Sequence, residues 1–126
     1  MRKNFKNKKI LITGHTGFKG SWLTTWLKYL GADILGISID LPSSPSHFNA
    51  CKNGALIKDV RLDITNLKEL KRKIIDFKPD YVFHLAAQSL VSRSYSDPVK
   101  TWKTNLIGTL NVMESLRFLK KIAALL

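Results

Sequence analysis

The stretch Thr13-Gly14-His15-Thr16-Gly17-Phe18-Lys19-Gly20-Ser21-Trp22-Leu23 limits what this chain can fold into more than any other. A short apolar run, Ile10-Leu11-Ile12, enters three glycines spaced G-x-x-G-x-x-G, and an amphipathic segment leaves them. In a strand-to-helix crossover the first glycine permits a tight turn and the second lets the backbone approach a diphosphate. The third lets the helix pack closely on the strand. The free N–H groups and the positive end of the helix dipole then face the anion. Glycine clusters also mark ordinary turns, so the flanking sequence has to decide between the two readings.

A second strand-like run, Ile34-Leu35-Gly36-Ile37-Ser38-Ile39, ends on Asp40, twenty residues past Gly20. A carboxylate at that point accepts hydrogen bonds from both hydroxyls of an adenosine ribose and repels a 2′-phosphate. The expected cofactor is therefore NAD rather than NADP.

In chain order, residues 8–13 read as a buried strand and 19–30 as a helix. Its stripe of Trp22, Leu23, Trp26, Leu27 and Leu30 is expected to face the core, and Gly31 to end it. Residues 33–40 form a second strand. Residues 41–47, with two prolines and several serines, form a loop bordering the adenosine end of a ligand. A third strand over 55–60 precedes a helix capped by Thr65 or Asn66 and running to Phe77, with Leu67, Leu70, Ile74 and Phe77 as its apolar stripe. Residues 81–87 read as a fourth strand ending in small side chains, with His84 as a hydrogen-bonded core residue. Residues 88–97 read as irregular. Pro98 opens a last helix that carries Trp102, Leu106, Leu110, Met113, Leu116 and Leu119 towards the end, with a bend at Gly108. This order predicts an α/β fold in one domain over 1–126, a Rossmann-like parallel sheet of about four strands with flanking helices.

The formal charge of +12, from 21 Lys+Arg against 9 Asp+Glu, raises a basic nucleic-acid-binding module as an alternative. The lysines are scattered, and the densest group precedes the first strand, so a solvated surface and arm is favoured and no nucleic-acid partner is expected. Cys51 is the only cysteine, which excludes an intramolecular disulfide, and with His47 it makes too few ligands for a metal site. Three apolar residues before Thr13-Gly14 are too few for a signal-peptide core or a membrane span, so no membrane partner and a cytoplasmic location are expected.

Four segments together resemble the extended short-chain dehydrogenases/reductases, the group of NAD-dependent nucleotide-sugar epimerases and dehydratases. Thr13 to Gly20 is similar to its opening fingerprint, and Asp63-Ile64 to its adenine-contacting pair. His84-Leu85-Ala86-Ala87-Gln88 is similar to its next cofactor-lining segment, and Asn105 with Gly108-Thr109 to its following helix. The resemblance implies cofactor contacts from Gly14, Thr16, Gly17, Phe18, Lys19, Gly20, Asp40, Asp63, Ile64, Leu85, Ala86, Ala87, Gln88 and Asn105. Residues 14–23, with Ser89-Leu90-Val91, Ser94-Tyr95 and Asp97-Pro98-Val99, are similar to the subfamily that dehydrates CDP-glucose, although Ser89 stands where proline is usual. Such a resemblance implies a nucleotide-sugar substrate, CDP-glucose, and a homo-oligomeric full-length protein. It also implies a net dehydration in which hydride leaves C4 of the sugar and returns at C6.

The group's catalytic base is a tyrosine in Tyr-x-x-x-Lys. Here Tyr29, Tyr81 and Tyr95 are followed four residues on by Asp33, Leu85 and Val99, so no catalytic residue is assigned. The expectation is the cofactor-binding part of a truncated dehydratase without its substrate domain, inactive alone. Its fourth strand is expected to lie at an open edge and its fold to be marginally stable.

Overall fold

The computed structural model describes residues 2–120 and 124–125, and its centre is a parallel sheet. Strands β1 (Lys9–Thr13), β2 (Asp33–Ser38), β3 (Lys58–Arg61), β4 (Tyr81–His84) and β5 (Ala124–Leu125) lie in the order β3-β2-β1-β4-β5. Strand β1 pairs Thr13 with Ile37 on one side and with His84 on the other, so the carboxyl ends of β1, β2 and β4 reach one rim. The strand order reverses at β1, which makes the β1/β4 rim the topological switch point where open α/β sheets bind ligands.

Strict alternation splits the apolar residues of the sheet into two layers. Ile10, Ile12 and Ile34 face helix α2 (Phe18–Tyr29), where they meet Leu27 and Leu30. Leu11, Leu35, Ile37 and Val82 face α4 (Leu67–Phe77) and α7 (Thr109–Leu116) and meet Leu70, Ile74, Val112 and Leu116. Asn66 caps α4 by accepting from Glu69 N at 3.3 Å, and Gly31 follows α2 at φ 87°, both as the sequence implies.

Elsewhere the structure corrects the sequence. A short helix α1 (Arg2–Phe5) precedes β1, and Phe5 packs edge-on to Tyr81 with ring centroids 5.5 Å apart, so the basic arm is anchored. The face of α2 that is buried carries Gly20, Ser21, Thr24 and Leu27, while Trp22 and Trp26 are half exposed at its flank. Small residues win that face because the helix start lies directly on the glycine turn. The serine-rich loop gives way at Ser46, whose hydroxyl caps α3 (His47–Ala50), and β3 begins only at Lys58 after a 3₁₀ turn over Asn53–Ala55. Residues 91–96, read as irregular, form α5 (Val91–Ser96), followed by α6 (Pro98–Trp102) with Asp97 accepting from Lys100 N at 3.0 Å.

The last helix is not one continuous stripe. A π-helical turn, Lys103–Gly108, links α6 to α7 and adds one residue to a helical turn, which rotates everything that follows about the axis. The buried residues then become Gly108, Asn111, Val112, Ser115 and Leu116, and Leu106, Leu110 and Met113 lie exposed; Trp102, at the end of α6 ahead of the turn, is exposed too. Helix α7 ends at Leu116, and β5 follows, pairing Ala124 with Tyr81 and Leu125 with Val82. The fourth strand is therefore covered over these two residues rather than left open, and the sheet has five strands among the described residues. Residues 121–123 and 126, assigned to a helix from the sequence, lie outside the described residues.

Candidate cofactor site at the carboxyl rim of the sheet

The glycine turn closes on itself and on its neighbours. Gly14 N donates to Ile37 O at 2.7 Å and Gly17 N to Gly14 O at 3.1 Å. Gly14 adopts φ +76°, and a Cβ there would stand 2.7 Å from Ala86 N and from the Leu85 carbonyl. It therefore serves both the turn and the close approach to the strand end. Gly20 would drive a Cβ into the Gly14 carbonyl oxygen, so it sets how closely α2 lies against the turn. Gly17 differs from both. Its φ of −68° suits any residue, and a Cβ would meet only Gly14 O, at 3.4 Å, an ordinary contact.

Gly17 is also the N-cap of α2. No side chain caps the helix and its first turn carries no acidic residue, so the positive end of the helix is left unneutralised within the protein. Two adjoining clefts open there, of about 180 and 650 Å³, sharing Gly14, Thr16, Gly17, Pro42, Leu85 and Ala87. The smaller also reaches Asp40, Ile64 and Ala86, and the larger reaches Phe18, Lys19 and Gly20. Eleven of the fourteen residues expected at the site thus line one continuous hollow.

Asp63, Gln88 and Asn105 do not line it. Asp63 turns its carboxylate back to accept from Thr65 N at 2.8 Å, holding the bend before α4. Gln88 and Asn105 hold each other. Gln88 N donates to Asn105 Oδ1 at 2.7 Å, and Asn105 Nδ2 donates to Gln88 O at 2.9 Å, which ties the chain after β4 to the π-helical turn. These residues shape the rim from behind. Sequence reasoning missed Ser38, Leu62 and Thr104 on the smaller cleft, of which the periodicity of β2 could have placed Ser38. The 41–47 loop does border the hollow as expected, but its Ser43, Ser46 and His47 line the larger cleft with Phe18 and Lys19 rather than the smaller one with Asp40.

The largest omission is His15, fully buried beneath the turn. Its Nε2 lies 2.9 Å from Asp59 Oδ1 and its Nδ1 3.0 Å from Ser38 Oγ, which in turn accepts from Thr16 N at 3.4 Å. The ring sits against Gly36, where a Cβ would approach to 2.5 Å, and Phe48 packs on it edge-on. Thr16 completes the anchorage by donating from Oγ1 to Asp40 O at 2.6 Å. Burial lowers the His15 pKa below the ordinary imidazole value of 6.5, outweighing the opposing pull of Asp59. The unfolded chain then takes up a proton on this ring before the folded one does. Stability is therefore expected to be complete above about pH 6.5 and to fall as acid is added below it. Urea denaturation at several pH values should show this loss, and His15→Asn should reduce it; an unchanged slope in the variant would refute the assignment.

His47 stacks on Trp22 with ring centroids 4.0 Å apart and places Nε2 3.3 Å from Cys51 Sγ. No group of three metal-ligating side chains occurs among the described residues. No helix among them is long and apolar enough to cross a membrane.

A parallel sheet of order 3-2-1-4-5 with a glycine turn opening a helix at its switch point is a Rossmann-like domain. The chain belongs to the GDP-mannose 4,6 dehydratase family, whose model matches residues 11–125. It is 42% identical over 123 residues to CDP-glucose 4,6-dehydratase of Salmonella typhimurium, covering 97% of this chain and 34% of that protein. Among solved structures it is similar to the UDP-glucose 4-epimerase of Thermus thermophilus in complex with NAD, at 29% identity and a TM-score of 0.74, over 86% of this chain and 33% of that one. It is also similar to the Bordetella bronchiseptica enzyme WbmF in complex with NAD+ and UDP, at 26% identity and a TM-score of 0.78, over 99% of this chain and 36% of that one. The chain thus spans about a third of the length of the relatives it matches.

Proposed function

We propose that this chain binds NAD and is the cofactor-binding domain of a nucleotide-sugar 4,6-dehydratase, a lyase acting on CDP-glucose. The observation that carries the first half is Gly17. The protein has no steric need for glycine there, so the missing side chain serves something from outside, at the uncapped positive end of α2. A diphosphate fits that place, with Lys19 adding positive charge and Asp40 at the far end of the same hollow for the adenosine ribose. The bound NAD of the similar epimerase and of WbmF supports the same cofactor.

The substrate rests on relatedness. The 42% identity to a CDP-glucose 4,6-dehydratase exceeds the 34% to a UDP-glucose 4-epimerase of Mycolicibacterium smegmatis. No residue of this chain is assigned a catalytic role; when bound, the cofactor supplies hydride acceptance and return. On the family resemblance alone, the whole protein is proposed to be a cytoplasmic homo-oligomer.

Titration calorimetry with NAD and NADP tests the reading. NAD is expected to bind and NADP to bind more weakly. Asp40→Ala is expected to weaken NAD by about 10- to 100-fold, the loss of one or two charge-assisted hydrogen bonds, and to narrow the gap between the two cofactors. Absence of NAD binding at millimolar concentration would overturn the proposal.

A further inference from the structure

We propose that His84 is a positioning residue for the cofactor wall, held as the neutral Nε2–H tautomer in a one-way chain of hydrogen bonds from Ala86 to Asn105. The inference rests on the NAD-binding reading, because Ala86 lines the smaller cleft and Asn105 fixes Gln88 beside it.

The direction of the chain follows from counting protons. Thr109 Oγ1 has one hydrogen and donates it to Asn105 O at 2.7 Å. Its remaining contact, with His84 Nε2 at 2.9 Å, can therefore only be accepted from an Nε2–H. A neutral imidazole protonated at Nε2 has a bare Nδ1, which takes the hydroxyl hydrogen of Thr13, 2.6 Å away. Thr13 Oγ1 is then left to accept, and it does so from Ala86 N at 3.3 Å. The reverse assignment fails at both ends. It would take the Thr109 hydrogen away from Asn105 O and leave the Thr13 hydroxyl facing another donor.

One imidazole thereby joins β1, β4 and the π-helical turn, and through them both segments that border the cofactor on this side. A proton added at Nδ1 breaks the chain, since Thr13 can no longer donate to the ring: its Oγ1 then faces two donors, Nδ1–H and the Ala86 amide, and its hydroxyl hydrogen has no acceptor left in the chain. The groups that face the ring from β1, α7 and β5 are Thr13, Thr109, Val112, Met113 and Leu125, none of them charged. Burial lowers the pKa of His84 from 6.5, and no carboxylate among the described residues opposes the shift. Cofactor affinity is therefore expected to fall on the acid side through this residue.

The test uses the ¹⁵N-labelled chain followed by NMR between about pH 8 and about pH 5, where an imidazole titrates. The His84 ring nitrogens are expected to report the Nε2–H tautomer at the upper end, and the Ala86 and Gln88 amides to shift with the His84 titration. NAD affinity is expected to fall by about fivefold or more over the same range, with a clearly smaller fall in His84→Asn. If that variant does not fold, Thr109→Val serves instead and is expected to move the Gln88 amide and mix the two tautomers. An Nδ1–H tautomer, or Ala86 and Gln88 amides that ignore the His84 titration, would overturn the proposal. So would an acid-side loss of NAD affinity that is undiminished in His84→Asn. Failure of NAD to bind at any pH would instead sink the functional reading, and the tautomer and amide measurements would still decide the relay.

Discussion

Gly20→Ala is expected to lower stability by about 3 kcal/mol, at the upper end of what an added methyl costs in a packed interior. The added Cβ collides with the Gly14 carbonyl oxygen and stands 2.8 Å from His15 Cα, and both obstacles are backbone. Neither can move alone. Gly14 is pinned by its bond to Ile37 O, and His15 by Asp59 and Ser38, so relief requires the whole of α2 to lift from β1. Ile10, Ile12, Leu27 and Ile34 would separate in the process. A domain of this size has a total stability of roughly 5–15 kcal/mol, so a large share of it is lost. Urea denaturation should show the midpoint shifted with the slope unchanged. A variant as stable as the parent would mean that the turn and helix are packed more loosely than described.

Gly17→Ala should do the opposite: leave the fold intact and remove the ligand. An alanine N-cap is slightly worse than glycine, but the loss of backbone freedom in the unfolded chain offsets this, so stability should stay within about 1 kcal/mol. The new methyl has ordinary clearance from Gly14 O and stands at the mouth of the positive helix end, where a diphosphate has to approach. NAD binding is expected to weaken by about 10- to 100-fold, the free energy of a steric intrusion of this size. Equal binding by the variant and the parent would remove the observation on which the functional proposal rests. The two glycines are three residues apart, yet one acts on the protein and the other on its ligand.

How far the sequence could be read depended on whether a signal was local. The glycine turn between β1 and α2 is a local pattern and lies where the sequence places it, and Asp40 reaches the smaller cleft, although β2 ends two residues earlier than expected, at Ser38. His15 was invisible because its meaning lies in Asp59 and Gly36, which only the sheet brings beneath it. The stripe on the last helix was misjudged for a different reason. Periodicity assumes a constant residue count per turn, and the π-helical turn at Lys103–Gly108 changes it once, which is enough to turn Leu106, Leu110 and Met113 outward while Leu116 stays buried. Trp22 and Trp26 misled because they fall at helical spacing with Leu23, Leu27 and Leu30, whereas close packing against the turn demanded Gly20, Ser21 and Thr24. Strand β5 is two residues long, below what alternation can reveal.

The contact between Gly14 and the Leu85–Ala86 backbone also bears on the order in which the molecule is made. Strand β1 precedes the other described strands in the chain but is central in the sheet, and one whole side of it waits for β4, about seventy residues later. Until that strand arrives, the glycine turn has only one of its two walls. A chain stopped short of residue 81 therefore lacks one wall of the pocket, which is completed only when β4 pairs with β1.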